Sequence, residues 1–254
     1  MAVIAVGNTK GGSGKTTTAI ALATAFAGNG LSVALLDGDP DGRAGEWFAV
    51  WAPATGYEPS ITTDPKTEVI LHPHTHKGIT LVPNVDEDAM LDTVEQYSES
   101  HDLVLIDLQG SANQSMLLAF GHSDLVIIPV QSSRFDLKGM VKTVKTVRSA
   151  ARSTRREIPH WVLLTRTSTT INQTRVDRYT RQQVIDLNLN IYTVELGHRT
   201  ALQKMTHDGL PPNPVNKGEE GAAENIQVLM RETAAILQGK HPSMLAAAAA
   251  SLAE

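Results

Sequence analysis

The chain of 254 residues contains no cysteine. A disulfide framework, a thiolate metal site and an iron–sulfur cluster are therefore excluded. It also lacks any run of 18 apolar residues, so the sequence predicts no membrane-spanning helix. The first residues lack a basic segment followed by an apolar stretch, which gives no indication of a secretion signal. We expect a cytoplasmic protein of bacterial or archaeal type, built as one large α/β domain.

Basic residues are scarce in most of the chain and concentrated in one block. Residues 1–133 hold 5 Lys and Arg against 16 Asp and Glu, whereas residues 134–181 hold 12 against 3. A solvated helix face with counter-ions is the ordinary explanation for a run of charge. The block carries few compensating acids, and this balance favours a polyanionic partner.

A glycine-rich string occupies residues 10–17 and reads Lys-Gly-Gly-Ser-Gly-Lys-Thr-Thr. A buried strand is predicted before it, at 3–7, and a helix with Ala/Leu periodicity after it, at 16–28. This strand–loop–helix context identifies a phosphate-binding loop. Its backbone N–H groups and the helix N-terminus would surround a phosphate, Lys15 would reach the β- and γ-phosphates, and Thr16 would bind Mg²⁺. The predicted nucleotide-binding residues here are Gly11, Gly12, Ser13, Gly14, Lys15, Thr16 and Thr17.

Short apolar runs alternate with helical periodicity along the chain, which predicts a doubly wound, mostly parallel sheet with helices on both faces. Residues 52–78 show no regular pattern. We expect a single phosphate-loop (P-loop) domain over 1–240 and an Ala-rich tail over 241–254. The predicted strands are 3–7, 32–36, 79–83, 103–107, 125–130, 161–165 and 190–194, and the predicted helices are 16–28, 44–51, 86–100, 113–120, 137–152, 172–187, 201–207 and 222–238.

Acidic residues end two of the predicted strands, where ligands of such sheets bind. Asp107 follows Leu-Val-Leu-Ile and is expected to hold Mg²⁺, through water, as a Walker B acid. Asp37 and Asp39 end the second strand, and Asp37 is expected to support the magnesium shell or Lys15. Helix capping is the alternative for an isolated Asp after a strand. It is the weaker explanation for three such residues beside a phosphate loop.

The pattern K-G-G-x-G-K-[ST] resembles the deviant Walker A motif of the ParA/MinD family, and the whole of residues 1–238 resembles ParA-type partition ATPases. The resemblance implies that Lys10 reaches across a dimer to the partner's nucleotide. It also implies that Asp39, in a D-x-D-P string, orients the attacking water. Arg166 stands where relatives often place a residue that contacts adenine, and residues 128–136 resemble a strand–loop string near the base.

The resemblance implies an ATP- and Mg²⁺-dependent homodimer that binds double-stranded DNA without sequence specificity. It further implies slow hydrolysis stimulated by a ParB-like or other partner, and a role in plasmid or chromosome segregation at the nucleoid. Two departures stand out. The family's D-x-P-P string is Asp107-Leu108-Gln109-Gly110 here, and a serine replaces the proline of P-x-x-P-S-x-x-D.

The residues predicted to bind DNA lie on two helices of the basic block. Arg175, Arg178 and Arg181 recur at spacing three and are expected to share a helix face. The preceding helix is expected to contribute Lys142, Lys145 and Arg152, in company with Lys138 and Arg148. Lysines and arginines without a base-reading element suit non-specific duplex binding.

Other members of the family offer alternative functions. A membrane-cycling MinD type would need a basic amphipathic C-terminal helix, which the alanine-rich residues 244–254 do not resemble. The absence of cysteine excludes a relative of the nitrogenase iron protein. A ParA-like ATPase in conjugative DNA transfer, or in positioning a protein assembly, would share every nucleotide residue, so the sequence leaves it open.

Overall fold

The computed structural model describes residues 1–57, 73–169 and 174–241. These residues form one open, nine-stranded sheet with helices on both faces, as the sequence predicts. The strands are β1 (Ala2–Val6), β2 (Val33–Gly38), β3 (His74–His76), β4 (Ile79–Val82), β5 (Leu103–Leu108), β6 (Leu125–Gln131), β7 (His160–Thr167), β8 (Asn190–Ile191) and β9 (Leu196–Gly197). The α-helices are α1 (Lys15–Gly28), α2 (Arg43–Trp51), α3 (Met90–Ser100), α4 (Gln114–Gly121), α5 (Arg134–Thr154), α6 (Arg175–Asp186), α7 (Thr200–His207) and α8 (Glu220–Leu237).

The strand order is β3-β4-β2-β5-β1-β6-β7-β8, with β9 also paired to β7. Every pair is parallel except β3 with β4. The carboxyl ends of β2, β5, β1, β6 and β7 therefore lie side by side at one edge of the sheet. Asp37 and Asp107 are register partners on β2 and β5, so two of the predicted acids are neighbours at that edge.

The sheet separates two hydrophobic cores. In β1, Ile4 packs into the core beneath α1, α2, α7 and α8, and Val3 into the core beneath α3, α4, α5 and α6. This alternation is the period of two that a strand buried on both faces requires. The basic block of the sequence lies on α5 and α6, which share one face of the sheet.

Several element boundaries differ from the sequence predictions. Helix α5 begins at Arg134 rather than 137 because the Ser133 side chain accepts a hydrogen bond from the Asp136 N–H and caps the first turn. The short antiparallel strand β3 lies within the stretch 52–78, for which no strand was predicted. The last predicted strand, 190–194, is only the two-residue β8.

The C-terminal part of the described chain is packed into the domain. His241 is buried, lies 4.5 Å from the ring of Trp161 and shares a 2.9 Å hydrogen bond with Glu232. Packing thus continues one residue beyond the predicted boundary at 240. The rest of the predicted Ala-rich tail, and the predicted start of the helix at 172, lie outside the described residues. Within the described ranges, none of the helices combines the length and apolarity needed to cross a bilayer.

Candidate nucleotide-binding site

The phosphate loop presents an open helix N-terminus. Helix α1 begins at Lys15, and Gly14 before it has a left-handed φ of 97° that favours glycine. Within the described residues no side chain caps the helix, and its first turn contains no acidic residue. The first N–H groups of α1 therefore face the loop, with the positive end of the helix dipole behind them. An anion such as a phosphate suits this arrangement.

Two neighbouring strands hold the loop in shape. The Thr165 hydroxyl of β7 donates a 2.7 Å hydrogen bond to the Ser13 carbonyl, and the Gln131 amide of β6 donates to the Gly12 carbonyl. A Cβ on Gly14 would stand 3.4 Å from the Thr165 side chain, so the contact is close. Sequence reasoning missed these supports because the partners are more than a hundred residues apart.

Lys15 lies buried between the loop and the acidic strand ends. Its side chain is largely enclosed, and its Nζ donates to the Lys10 carbonyl at 3.5 Å. Burial lowers the pKa of Lys15, while Asp107 and Asp39 oppose the shift. A buried cation at the start of the helix is placed to meet the negative charge of a polyphosphate.

The carboxylate of Asp107 is buried. Among the described residues, neither of its oxygens has a hydrogen-bond partner of normal geometry. Burial, reinforced by repulsion from Asp37, raises the pKa of Asp107 to about 8, against the influence of the Thr16 hydroxyl and Lys15. An uncompensated buried carboxylate is costly, and a cation beside it removes the cost. Asp107 and Thr16 therefore fit a Mg²⁺ site that keeps several waters.

Asp37 and Asp39 differ in their surroundings. Asp37 accepts from the N–H groups of Gly45 at 2.8 Å and Asp39 at 3.2 Å, and burial raises its pKa to about 6. Its contacts thus fix the loop after β2, and its predicted place in the magnesium shell stays a prediction. Asp39 accepts from the Asp41 N–H at 3.1 Å. No group of three or more His, Asp or Glu side chains forms a cage for a metal in the described ranges.

Two adjoining cavities lie over the loop. The larger measures about 240 Å³, and the two share Gly14, Thr17, Arg166 and Thr206. Arg166 sits at an irregularity of β7, with a left-handed φ of 52°, and its exposed side chain faces both cavities. The smaller cavity is also lined by residues of β9, of α7 and of the link between them, namely Leu196, Gly197, His198, Arg199, Leu202 and Gln203.

The structure places Lys10 at the rim of the site, engaged with its own chain. Its Nζ lies 2.6 Å from Asp136 Oδ2, and its side chain is 38% exposed while that of Asp136 is 3% exposed. The sequence had assigned the string containing Asp136 to the base. The structure places Asp136 at the start of α5, beside the phosphate loop.

The residues predicted to bind DNA are not equivalent. Arg175 and Arg178 on α6 are exposed, as are Lys142, Lys145 and Arg152 on α5. Arg181 is half-buried: it forms a 2.7 Å ion pair with Glu195 and donates to the Tyr192 carbonyl. The expectation that the three arginines share one face is therefore wrong for Arg181. A step of three residues falls about 60° short of a full turn of an α-helix. Arg181 is two such steps from Arg175, so its side chain is displaced around the helix towards the sheet.

Comparison with known proteins identifies the family of the chain. A family model described as ATPase MipZ matches residues 2–192, which is most of the chain. The chain is 28% identical over 211 residues to Protein ParA of Rhizobium radiobacter, covering 82% of this chain and 84% of that protein. It is 34% identical over 155 residues to the chromosome-partitioning ATPase Soj of Thermus thermophilus, covering 57% of this chain and 60% of that protein.

The fold is shared with solved structures at low sequence identity. A Cyanothece McdA variant in complex with ATP superposes with a TM-score of 0.68 at 17% identity, covering 89% of this chain and 96% of that one. The phosphate loop, the buried acid on β5 and the parallel sheet thus occur together with a family match over most of the chain. The chain belongs to the MipZ family of P-loop ATPases, related to ParA and Soj.

Proposed function

We propose that this protein is a Mg²⁺-dependent ATPase that dimerises around ATP and binds duplex DNA without sequence preference. The observation that carries the proposal is the open N-terminus of α1, with buried Lys15 on one side and on the other the buried carboxylate of Asp107, which lacks a hydrogen-bond partner of normal geometry in the described part of the chain. Bound Mg²⁺ would neutralise charge on the polyphosphate while the terminal phosphoryl group is transferred to water and ADP leaves.

The chain's own residues would divide the work. The loop from Gly11 to Thr17 would bind the phosphates, with Lys15 on the β- and γ-phosphates. Thr16 and Asp107 would hold the metal, Asp37 would support that shell, and Arg166 would contact the base. Asp39 would accept a hydrogen bond from the attacking water and so orient it. Hydrolysis would be slow, as the resemblance to ParA-type ATPases implies.

Lys10 supports a dimer of ATP-bound subunits. The phosphate loop already contains Lys15, so Lys10 is a second lysine, and it stands half-exposed at the rim. A partner's triphosphate at that rim would attract its charge. One active domain over residues 1–240, followed by a tail, is part of the proposal.

Duplex DNA is the polyanion that we propose for the basic block. The exposed Arg175 and Arg178 on α6 and Lys142, Lys145 and Arg152 on α5 lie on one face of the sheet. A dimer would carry two copies of this basic surface and would double the contacts with DNA phosphates. DNA binding would therefore require the ATP-bound dimer. We place the protein at the nucleoid, in plasmid or chromosome segregation, with a ParB-like protein as the stimulating partner. A relative that positions another cargo would share the nucleotide residues.

The test separates nucleotide binding from dimerisation. Lys15→Ala should abolish binding of ATP and ADP in calorimetry, because it removes the cation buried under the phosphates. Lys10→Ala should bind ATP as a monomer and lose ATP-driven dimerisation in light scattering. A Lys10→Ala protein that still dimerises with ATP would reject the cross-dimer role, and a wild-type protein that binds neither nucleotide would reject the whole proposal.

A further inference from the structure

The segment after β5 lies directly on the phosphate loop. A Cβ on Gly110 would stand 2.9 Å from both the Cα and the N of Gly11, and 3.1 Å from Lys15 Nζ. Only glycine fits such an approach of two backbones. Gln109, the preceding residue, is therefore held at the edge of the loop, and its side chain is half-buried there.

A chain of hydrogen bonds fixes the orientation of the Gln109 amide. Asn113 caps α4, and its Oδ1 accepts from the Met116 N–H at 3.0 Å. Since that oxygen faces the helix, Asn113 Nδ2 faces Gln109 and donates to its Oε1 at 3.3 Å. The Ser111 hydroxyl donates to the same Oε1 at 3.0 Å.

These two hydrogen bonds occupy the amide oxygen of Gln109 and leave its amino group available to donate to a ligand. Among the described residues, Gln109 accepts these two hydrogen bonds through its oxygen, and its Nε2 donates none. An amide N–H₂ group can donate to an anionic oxygen, which the carboxylates of Asp39 and Asp107 cannot do. Family members usually carry proline at this position, and proline has no side-chain donor.

We propose that Gln109 Nε2 donates to a terminal phosphate oxygen of the bound nucleotide, and that Asn113 and Ser111 are the positioning residues that aim it. The inference rests on the proposed ATP-binding function and deepens it. The contact would exist with a triphosphate and be absent with a diphosphate. Gln109 would thus discriminate between the two nucleotides, and Asn113 would connect that contact to the first turn of α4.

The experiment compares the affinities of a non-hydrolysable ATP analogue and of ADP, each with Mg²⁺, by calorimetry. Gln109→Glu should weaken binding of the ATP analogue about tenfold or more, because a donor becomes a repelling carboxylate, and should leave ADP affinity within about twofold. Asn113→Asp keeps an acceptor for the Met116 N–H and removes the donor to Gln109. This variant should reduce the ratio of ATP-analogue affinity to ADP affinity by a smaller factor than Gln109→Glu does. It should not lower the melting temperature.

Two further variants make the result decisive. Gln114→Glu makes the same chemical change at an exposed residue at the start of α4 and should leave the ratio unchanged. Gln109→Met removes the donor without adding charge, and serves if Gln109→Glu fails to fold. A wild-type ratio in the Gln109 variants, or an equal loss in Gln114→Glu, would overturn the contact while nucleotide binding by the wild type still supports the proposed function. Failure of the wild type to bind either nucleotide would overturn both.

Discussion

Lys10 and Asp136 form an ion pair within one chain, with 2.6 Å between Nζ and Oδ2. The two residues are 126 positions apart, and the pair joins the phosphate loop to the first turn of α5. Asp136 is nearly buried and also accepts from the Ser133 hydroxyl. Lys10 cannot form an ion pair with this carboxylate and with a partner's nucleotide at the same time. The pair therefore competes with the dimer that we propose.

The first prediction concerns this competition. Asp136→Asn keeps the size of the side chain and removes its charge. Less free energy would then be needed to separate Lys10 from the side chain at position 136. We expect ATP-dependent dimerisation to strengthen about fivefold, equivalent to roughly 1 kcal/mol for a partly exposed ion pair. Analytical ultracentrifugation across a protein concentration series with an ATP analogue measures the change.

A matched control is the pair between Arg156 and Asp124, which lies 3.4 Å apart and away from the loop. Asp124→Asn should leave the dimer constant unchanged. Weaker dimerisation in Asp136→Asn would contradict the competition and would indicate that Asp136 orients Lys10 towards the partner.

The second prediction follows from the raised pKa of Asp107. Its value of about 8 in the folded protein exceeds the ordinary value of 3.8, so the folded state retains a proton that the unfolded chain releases. The free energy of unfolding without metal and nucleotide should therefore fall as pH rises from about 4 to about 8. Asp107→Asn should remove the contribution of Asp107 to this fall and leave a smaller fall below about pH 6, because burial also raises the pKa of Asp37 to about 6. The substitution should stabilise the protein more at pH 8 than at pH 5, by about 2 kcal/mol or more.

Urea unfolding with a chelator at the two pH values measures this difference. Glu99→Gln replaces an exposed carboxylate on α3 and should change stability little at either pH. An equal effect of Asp107→Asn at pH 5 and pH 8 would show that burial does not perturb Asp107. In the presence of Mg²⁺ and ATP the variant should gain less stability than the wild type, because it lacks the metal-facing charge.

The phosphate loop and the strand-end acids could be predicted because each is contiguous in sequence. The loop needs only a strand before it and a helix after it, and Asp107 needs only to end a buried strand. The contacts between Thr165 and Ser13 or between Lys10 and Asp136 arise from the order of the strands. No local pattern signals them.

The orientation of Arg181 shows a second limit of sequence reasoning. Spacing of three places successive residues near each other on a helix, and Arg175 and Arg178 obey it. Three residues further along, the rotation around the helix places Arg181 beside Glu195, a residue beyond the next strand. Which side of α6 faces the sheet is decided by the burial of Thr180 and Val184, which the charge pattern did not reveal.

The third prediction concerns the attacking water. Asp39→Ala leaves Lys15, Thr16 and Asp107 in place, so ATP binding should persist while turnover falls at least about tenfold, or roughly 1.4 kcal/mol of barrier. The dimer should consequently live longer on size exclusion with ATP. Asp41→Ala removes a neighbouring carboxylate that is 66% exposed and should retain wild-type turnover. Wild-type turnover in Asp39→Ala would assign the water to another residue.

The last prediction separates the three arginines of α6. Arg175→Glu with Arg178→Glu should abolish binding to two unrelated duplexes in fluorescence anisotropy and leave ATP-dependent dimerisation intact. Arg181→Ala should instead lower the melting temperature, through loss of the Glu195 ion pair, and retain most of the DNA affinity.

Salt dependence and a control on the other side of the sheet complete this test. Wild-type affinity should fall by about 0.9 log unit per log unit of salt for each phosphate neutralised, and the slope should be the same for both duplexes. Lys204→Glu with Lys240→Glu reverses two exposed charges, at α7 and after α8, and should leave binding unchanged because those helices cover the opposite face. Equal losses in both double variants would show that net charge, rather than the α5–α6 face, governs binding. Strong preference for one duplex would contradict a phosphate-based interaction.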